Sequence, residues 1–104
     1  MPNDRLDTLK SLTAQNPQDS FVRYGLAMEY SRLGEFEQAI AEYRNLLAIN
    51  PDYVAAYFHG GQSLEKLGRV DDARRMYRDG IEASTRAGDM HTRSELEAAL
   101  DALG

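Results

Sequence analysis

Apolar residues recur at three- and four-residue steps along almost the whole chain, and nowhere do they alternate as a half-buried strand would require. Leu6, Leu9 and Leu12 follow Asn3 and Asp4, either of which can cap a helix start, and Pro17 stops the segment. This predicts a first helix over 4–15. Val22, Leu26, Met28, Tyr30 and Leu33 predict a second over 18–33, ended by Gly34. Phe36, Ala39, Ile40, Tyr43, Leu46 and Leu47 mark a third, closed at Asn50 because the residue before Pro51 is pushed out of helical geometry. A fourth helix is expected over 52–67 before Gly68. A fifth begins at Val70, carries Ala73, Met76, Tyr77 and Ile81 inward, and reaches Ala87, since no proline interrupts it at Thr85. Asp89 or Thr92, the latter with Glu95 as a capping box, opens a sixth helix with Leu96, Ala99, Leu100 and Leu103 on one face. The fold class is all-α, with about six helices.

The pattern also repeats. "RLGEFEQA" from Arg32 to Ala39 returns as "KLGRVDDA" from Lys66 to Ala73, and one interval of 34 residues separates Leu33 from Leu67, Gly34 from Gly68, Tyr43 from Tyr77, Arg44 from Arg78 and Pro17 from Pro51. A fixed period in the thirties marks stacked repeats. In each copy Leu closes one helix and Gly turns the chain. Phe36 or Val70 anchors the turn, and Glu37 or Asp71 meets the positive end of the next helix's dipole. Small Ala39 and Ala73 let the paired helices approach. Each such hairpin needs a neighbour to cover its remaining apolar side.

These residues carry a resemblance to the tetratricopeptide repeat family, whose pattern places Trp, Leu-Gly, Tyr, Ala, an aromatic and Pro at fixed spacing. Over 20–53 those places hold Arg23, Leu26-Ala27, Tyr30, Ala39, Tyr43 and Pro51; over 54–87 they hold Tyr57, Gly60-Gly61, Leu64, Ala73, Tyr77 and Thr85. Arg23 and Thr85 depart from the pattern. Leu9, Leu12 and Pro17 fit the second half of a truncated repeat. The resemblance implies a single domain over 1–104: a half repeat (1–17), two full repeats (20–53, 54–87) and a capping helix (88–104), stacked as a short right-handed superhelix. Gly60 and Gly80 stand where the family uses Leu and a small residue such as Ala. Each costs about 1 kcal/mol in helix propensity, so the fourth and fifth helices are expected to approach closely there.

The resemblance further implies a groove lined by the first helix of each repeat, and by matching position it offers Phe21, Tyr24, Met28, Ser31 and Arg32, then Ala55, Phe58, Gln62, Glu65 and Lys66. Leu26, Tyr30, Tyr57 and Leu64 occupy the core places, which leaves Tyr24 and Phe58 for another side. The function implied is a non-catalytic module holding a peptide or protein segment in that groove, as adaptor or as subunit of an assembly. The alternative is a self-associating unit stacking through Leu6–Leu12 and Leu96–Leu103, so the chain is expected as a monomer or weak homo-oligomer. Tyr24, Met28, Phe58 and Gln62 do not supply the Lys and Asn with which some relatives clamp a partner's terminal carboxylates, so a receptor for chaperone tails is not expected.

Composition narrows the other classes. The 104 residues are 42% hydrophobic and 28% charged, those of an ordinary globular chain, and the net charge of −5 disfavours a nucleic-acid partner. The Arg69, Arg74, Arg75 and Arg78 cluster reads as a solvated face, with Asp71–Arg75, Arg75–Asp79 and Arg78–Glu82 at pairing distance four. With no cysteine, disulfides and thiolate metal sites are excluded, and the start "MPNDRLDTLK" shows no signal peptide. The expected location is cytoplasmic, with no membrane span. His59 and His91, the only histidines, are not in metal-ligand spacing and read as surface or edge residues. Asp71-Asp72 reads as a helix start rather than an acid–base pair. No catalytic residue, cofactor or metal is expected.

Overall fold

The computed structural model describes residues 4–104, and the candidate cap at Asn3 lies outside them. Six helices follow one another: α1 (Asp4–Gln15), α2 (Ser20–Arg32), α3 (Phe36–Ile49), α4 (Val54–Lys66), α5 (Val70–Ala87) and α6 (Met90–Ala102). No strand occurs among the described residues. The second and fourth helices begin two residues later than the pattern predicts, because each start waits for the turn after Pro17 or Pro51 to close. At α2 the Asp19 carboxylate accepts from the Val22 N–H. At α6 Asp89, one of the two expected caps, accepts from the Thr92 N–H at 3.0 Å and from the Thr92 hydroxyl at 2.7 Å, so the helix starts there and not at a Thr92–Glu95 box.

The repeated Leu-Gly turn has one physical form. Gly34 and Gly68 adopt φ of 77° and 74°, in the left-handed region. The next N–H, of Glu35 or Arg69, then reaches back to the carbonyl of Tyr30 or Leu64. This satisfies a helix-end acceptor and reverses the chain within two residues.

Each helix packs on the next in sequence, and the backbones of α2 and α4 and of α4 and α6 also come close, whereas those of α1, α3 and α5 stay apart. A two-layer stack that is tight on one side and splayed on the other must curve. The even-numbered helices therefore line its concave side. Two apolar clusters fill the space between the layers. Ala27, Ala39, Tyr43, Leu46 and Ala56 form one, and Ile40, Tyr57, Leu64, Ala73, Met76, Tyr77, Ala83 and Leu96 form the other. Of the residues assigned to the core, Leu26, Tyr57 and Leu64 are buried, but Tyr30 is half exposed, with the Lys10 ammonium 5.9 Å from its ring centre.

The close approach of α4 and α5 is present and falls partly on a different glycine. A Cβ on Gly80 would sit 2.5 Å from Tyr57 Cβ, and one on Gly61 would overlap the Tyr77 ring outright. Gly60 has more room, with Met76 Cε at 3.3 Å. Three of the four clustered arginines, Arg69, Arg74 and Arg75, are neutralised, through pairs other than those expected. Asp71 meets Arg74 at 2.7 Å, and Asp72 meets Arg69 at 3.1 Å and Arg75 at 3.9 Å. Arg74 also donates to the Leu103 carbonyl at 3.1 Å, which ties α6 to α5.

Candidate functional site

Between α2 and α4, on the concave side, a cavity of about 290 Å³ is lined by Met28, Ser31, Arg32, Phe36, His59, Gln62, Ser63 and Lys66. Its floor is polar. Ser31 Oγ and Ser63 Oγ lie 3.3 Å apart, which shows how near the two helices come, and Ser31 is 3.4 Å from the Tyr43 hydroxyl. That hydroxyl donates to Met28 Sδ at 3.0 Å. Burial pushes the Tyr43 phenol up to about 12, so it stays protonated and fixes the sulfur in place.

Arg32 stands on the rim in a set orientation. Its Nε donates to Glu29 at 3.0 Å and its Nη2 binds the other carboxylate oxygen, while Arg5 of α1 approaches Glu29 at 3.4 Å. Glu29 is only 2% exposed, so this buried carboxylate needs both cations. The bonds it donates to Glu29 raise the Arg32 pKa and keep the guanidinium charged. Lys66 occupies the matching place one repeat later and is exposed, with no ion pair among the described residues. Gln62, Glu65 and Lys66 line an adjoining hollow of about 220 Å³, where Glu65 accepts a hydrogen bond from the Tyr77 hydroxyl.

The groove residues expected from the sequence are thus divided. Met28, Ser31, Arg32, Gln62 and Lys66 share the cavity, with Glu65 beside it. Tyr24 and Phe58 are half-buried and reach the cavity through His59, whose ring centre is 5.9 Å from Tyr24 and 5.4 Å from Phe58. Phe21 stands apart. It is 75% exposed and borders a separate cavity of about 470 Å³ with Asp4, Arg5, Thr8, Leu9 and Gly25 between α1 and α2. Ala55 lines none of these cavities.

Matching by repeat position misses His59, Phe36 and Ser63. A signal exists, since 59, 62, 63 and 66 form one helical stripe, rotated by a residue from the stripe through 58, 62 and 65. His59 is partly buried, and that burial pushes its pKa below the ordinary value, against the opposing pull of Glu95 and a bond with Gln62. His91 is exposed and lies 3.6 Å from Glu95.

A further cavity of about 460 Å³ opens on the convex side between α3 and α5, where Arg44, Asp72, Arg75 and Asp79 wall a floor of Leu47, Ala48, Tyr57 and Met76. It is the gap left by the splay of the outer helices. Among the described residues no group of three or more His, Asp or Glu side chains is placed to hold a metal ion, and no helix is long and apolar enough to cross a membrane.

Comparison with known proteins agrees with this architecture. A family profile described as TPR repeat matches residues 28–68. A tetratricopeptide repeat domain protein from Salinibacter ruber is 38% identical, with 85% of this chain and 89% of that chain covered and a TM-score of 0.79. PcrH in complex with the chaperone binding region of PopD superposes with a TM-score of 0.89 at 19% identity, covering 94% of this chain and 74% of that one. The TPR2B domain of yeast Sti1, in a complex with pHsp70, gives 0.88 at 14% identity, covering 94% and 78%. No curated protein sequence matches.

Proposed function

The chain belongs to the tetratricopeptide repeat family, and from that premise we propose that it is a non-catalytic interaction module whose concave face holds a peptide or protein segment, as an adaptor or as a subunit of an assembly. One observation carries the reading. The cavity between α2 and α4 is left open by the chain's own side chains, and α6 packs beside α4 without filling it. Met28 and Phe36 supply apolar wall, and Arg32, Gln62 and Lys66 supply polar rim, a mixture suited to a chain segment with both kinds of side chain. The two fold neighbours solved as complexes with a partner support it as precedents of shape. His59 shares the cavity with Ser31 and Ser63, but the serine hydroxyls pair with each other and the imidazole with Gln62, an arrangement that favours binding over chemistry.

The self-stacking alternative receives less support. Leu96 is buried in the chain's own core, and Ala99, Leu100 and Leu103 pack against it. The outward side of α6 carries Arg93 and Glu97, 3.7 Å apart.

A peptide library displayed with blocked C-termini and selected on the whole protein tests the groove. Gln62→Trp plugs the cavity mouth from an exposed position without touching the core. Selected peptides are expected to lose binding to this variant by about tenfold or more while its thermal melting is unchanged. Peptides that bind both forms equally would overturn the assigned face, and light scattering showing a stable dimer at micromolar concentration would favour self-association.

A further inference from the structure

Resting on the groove reading above, we propose that the cavity between α2 and α4 takes the side-chain carboxylate of an aspartate or glutamate inside the partner segment. The chain is acidic overall, at −5, yet this rim gathers Arg32 and Lys66 from successive concave helices. Two of the acids nearby are already engaged. Glu29 is buried between Arg5 and Arg32, and Glu65 receives the Tyr77 hydroxyl. Arg32 commits Nε and one Nη2 bond to Glu29, which leaves Nη1 and the rest of its fork for a second oxygen, while the first holds the plane still. Lys66 has no partner among the described residues to give up.

The floor adds neutral donors. Tyr43 satisfies its own proton on Met28 Sδ, so the Ser31–Ser63 hydroxyl pair can turn a proton outward to an acceptor. A cation fixed by a buried carboxylate, a free cation opposite and rotatable hydroxyls beneath form a receptor for one anionic oxygen pair. A side chain is favoured over a chain end because Tyr24, Met28, Phe58 and Gln62 do not supply the Lys and Asn with which some relatives clamp a terminus.

The displayed library supplies the test, since its peptides have no free C-terminus. Peptides selected on the protein and lost on Gln62→Trp are expected to share an Asp or Glu at one place. Replacing it by Asn or Gln in the synthetic, C-terminally amidated peptide should weaken binding about tenfold, and Lys66→Gln should weaken the acidic peptide about tenfold but its amide counterpart hardly at all. Lys66 is exposed, so the fold tolerates the change. Selected peptides with no shared acid, or equal loss for acidic and amide peptides on Lys66→Gln, would overturn the inference and leave the groove standing. A gain of about tenfold or more on freeing the C-terminus would also overturn it, in favour of a chain end. If no peptide is sensitive to Gln62→Trp, the groove reading falls and takes the inference with it.

Discussion

The hairpins α2–α3 and α4–α5 share a period and a turn but solve the same contacts with different chemistry. In the first, Arg23 reaches back to the Pro17 carbonyl at 3.0 Å; in the second, Tyr57, 34 residues later, donates to the Pro51 carbonyl at 2.6 Å. Tyr43 turns its hydroxyl toward Ser31 and Met28, whereas Tyr77 turns its own to Glu65, the counterpart of Ser31. The first hairpin fills its interior with Leu26, Ala27 and Leu46, and the second puts Gly60, Gly61 and Gly80 in those places. The period thus fixes where an atom must arrive, and the residue that delivers it is free to vary. Arg23 is no longer an exception on this view, because it does from a guanidinium what Tyr57 does from a phenol, and it adds a 2.7 Å pair with Glu42.

The largest difference lies in backbone proximity. Gly61→Ala would drive a methyl into the Tyr77 ring, which is fully buried and held by Glu65, so the ring has nowhere to go. The expected cost is about 2–3 kcal/mol even after the gain in helix propensity. Gly60→Ala meets the flexible end of Met76 at 3.3 Å and Tyr43 Cβ at an ordinary 3.5 Å, and should change stability by less than about 1 kcal/mol, in either direction. Urea midpoints separate the two; equal effects would mean that the Gly61–Tyr77 contact is not what sets the helix spacing.

The tyrosine hydroxyls come next. Tyr77→Phe removes a bond to a carboxylate and should cost about 1.5 kcal/mol, while Tyr43→Phe removes a bond to sulfur and should cost about 0.5 kcal/mol. The reverse order, read from the same midpoints, would contradict the pairing with Glu65.

Most of the fold was legible because helical period and punctuation are local. Pro17, Gly34, Asn50-Pro51, Gly68 and Gly88 each end or reverse an element through their own backbone geometry. The site was half legible. Met28, Arg32, Gln62 and Lys66 follow from the 34-residue interval, but which side of α4 faces the hollow depends on a rotation of one residue that its neighbours set. That rotation brings His59 and Ser63 in and leaves Tyr24 and Phe58 behind them. Phe21 falls elsewhere for a related reason. At the α1–α2 contact the Leu9 side chain lies against Gly25, 3.3 Å from where a Cβ would stand, so Phe21 faces that junction instead of the cavity.

Ser84 and Asn50 occupy equivalent places and mark where the hairpins part. Asn50 ends α3 and accepts from the Asp52 N–H at 3.2 Å, but Ser84 lies inside the longer α5, fully buried, with its hydroxyl unpartnered. Ser84→Ala should therefore gain about 0.5–1 kcal/mol, by relieving desolvation and improving helix propensity, whereas Asn50→Ala should lose about as much. A loss on Ser84→Ala would show that the hydroxyl is satisfied.

The smallest effect is a pH dependence confined to the second hairpin. His59 stands where the first has Gly25, and burial against Tyr24 and Phe58 lowers its pKa from the ordinary 6.5 despite Glu95 and Gln62. The unfolded chain therefore binds the proton more readily than the folded one. Stability from this residue is complete above the unfolded value and is lost as pH falls through the folded value. Urea midpoints of the parent minus those of His59→Gln, measured from about pH 7.5 to 5, should decline toward acid, and the subtraction removes every other titrating group. A difference that rises toward acid would mean that attraction to Glu95 outweighs burial. The imidazolium would then be a favoured third cation at the rim that Arg32 and Lys66 already share.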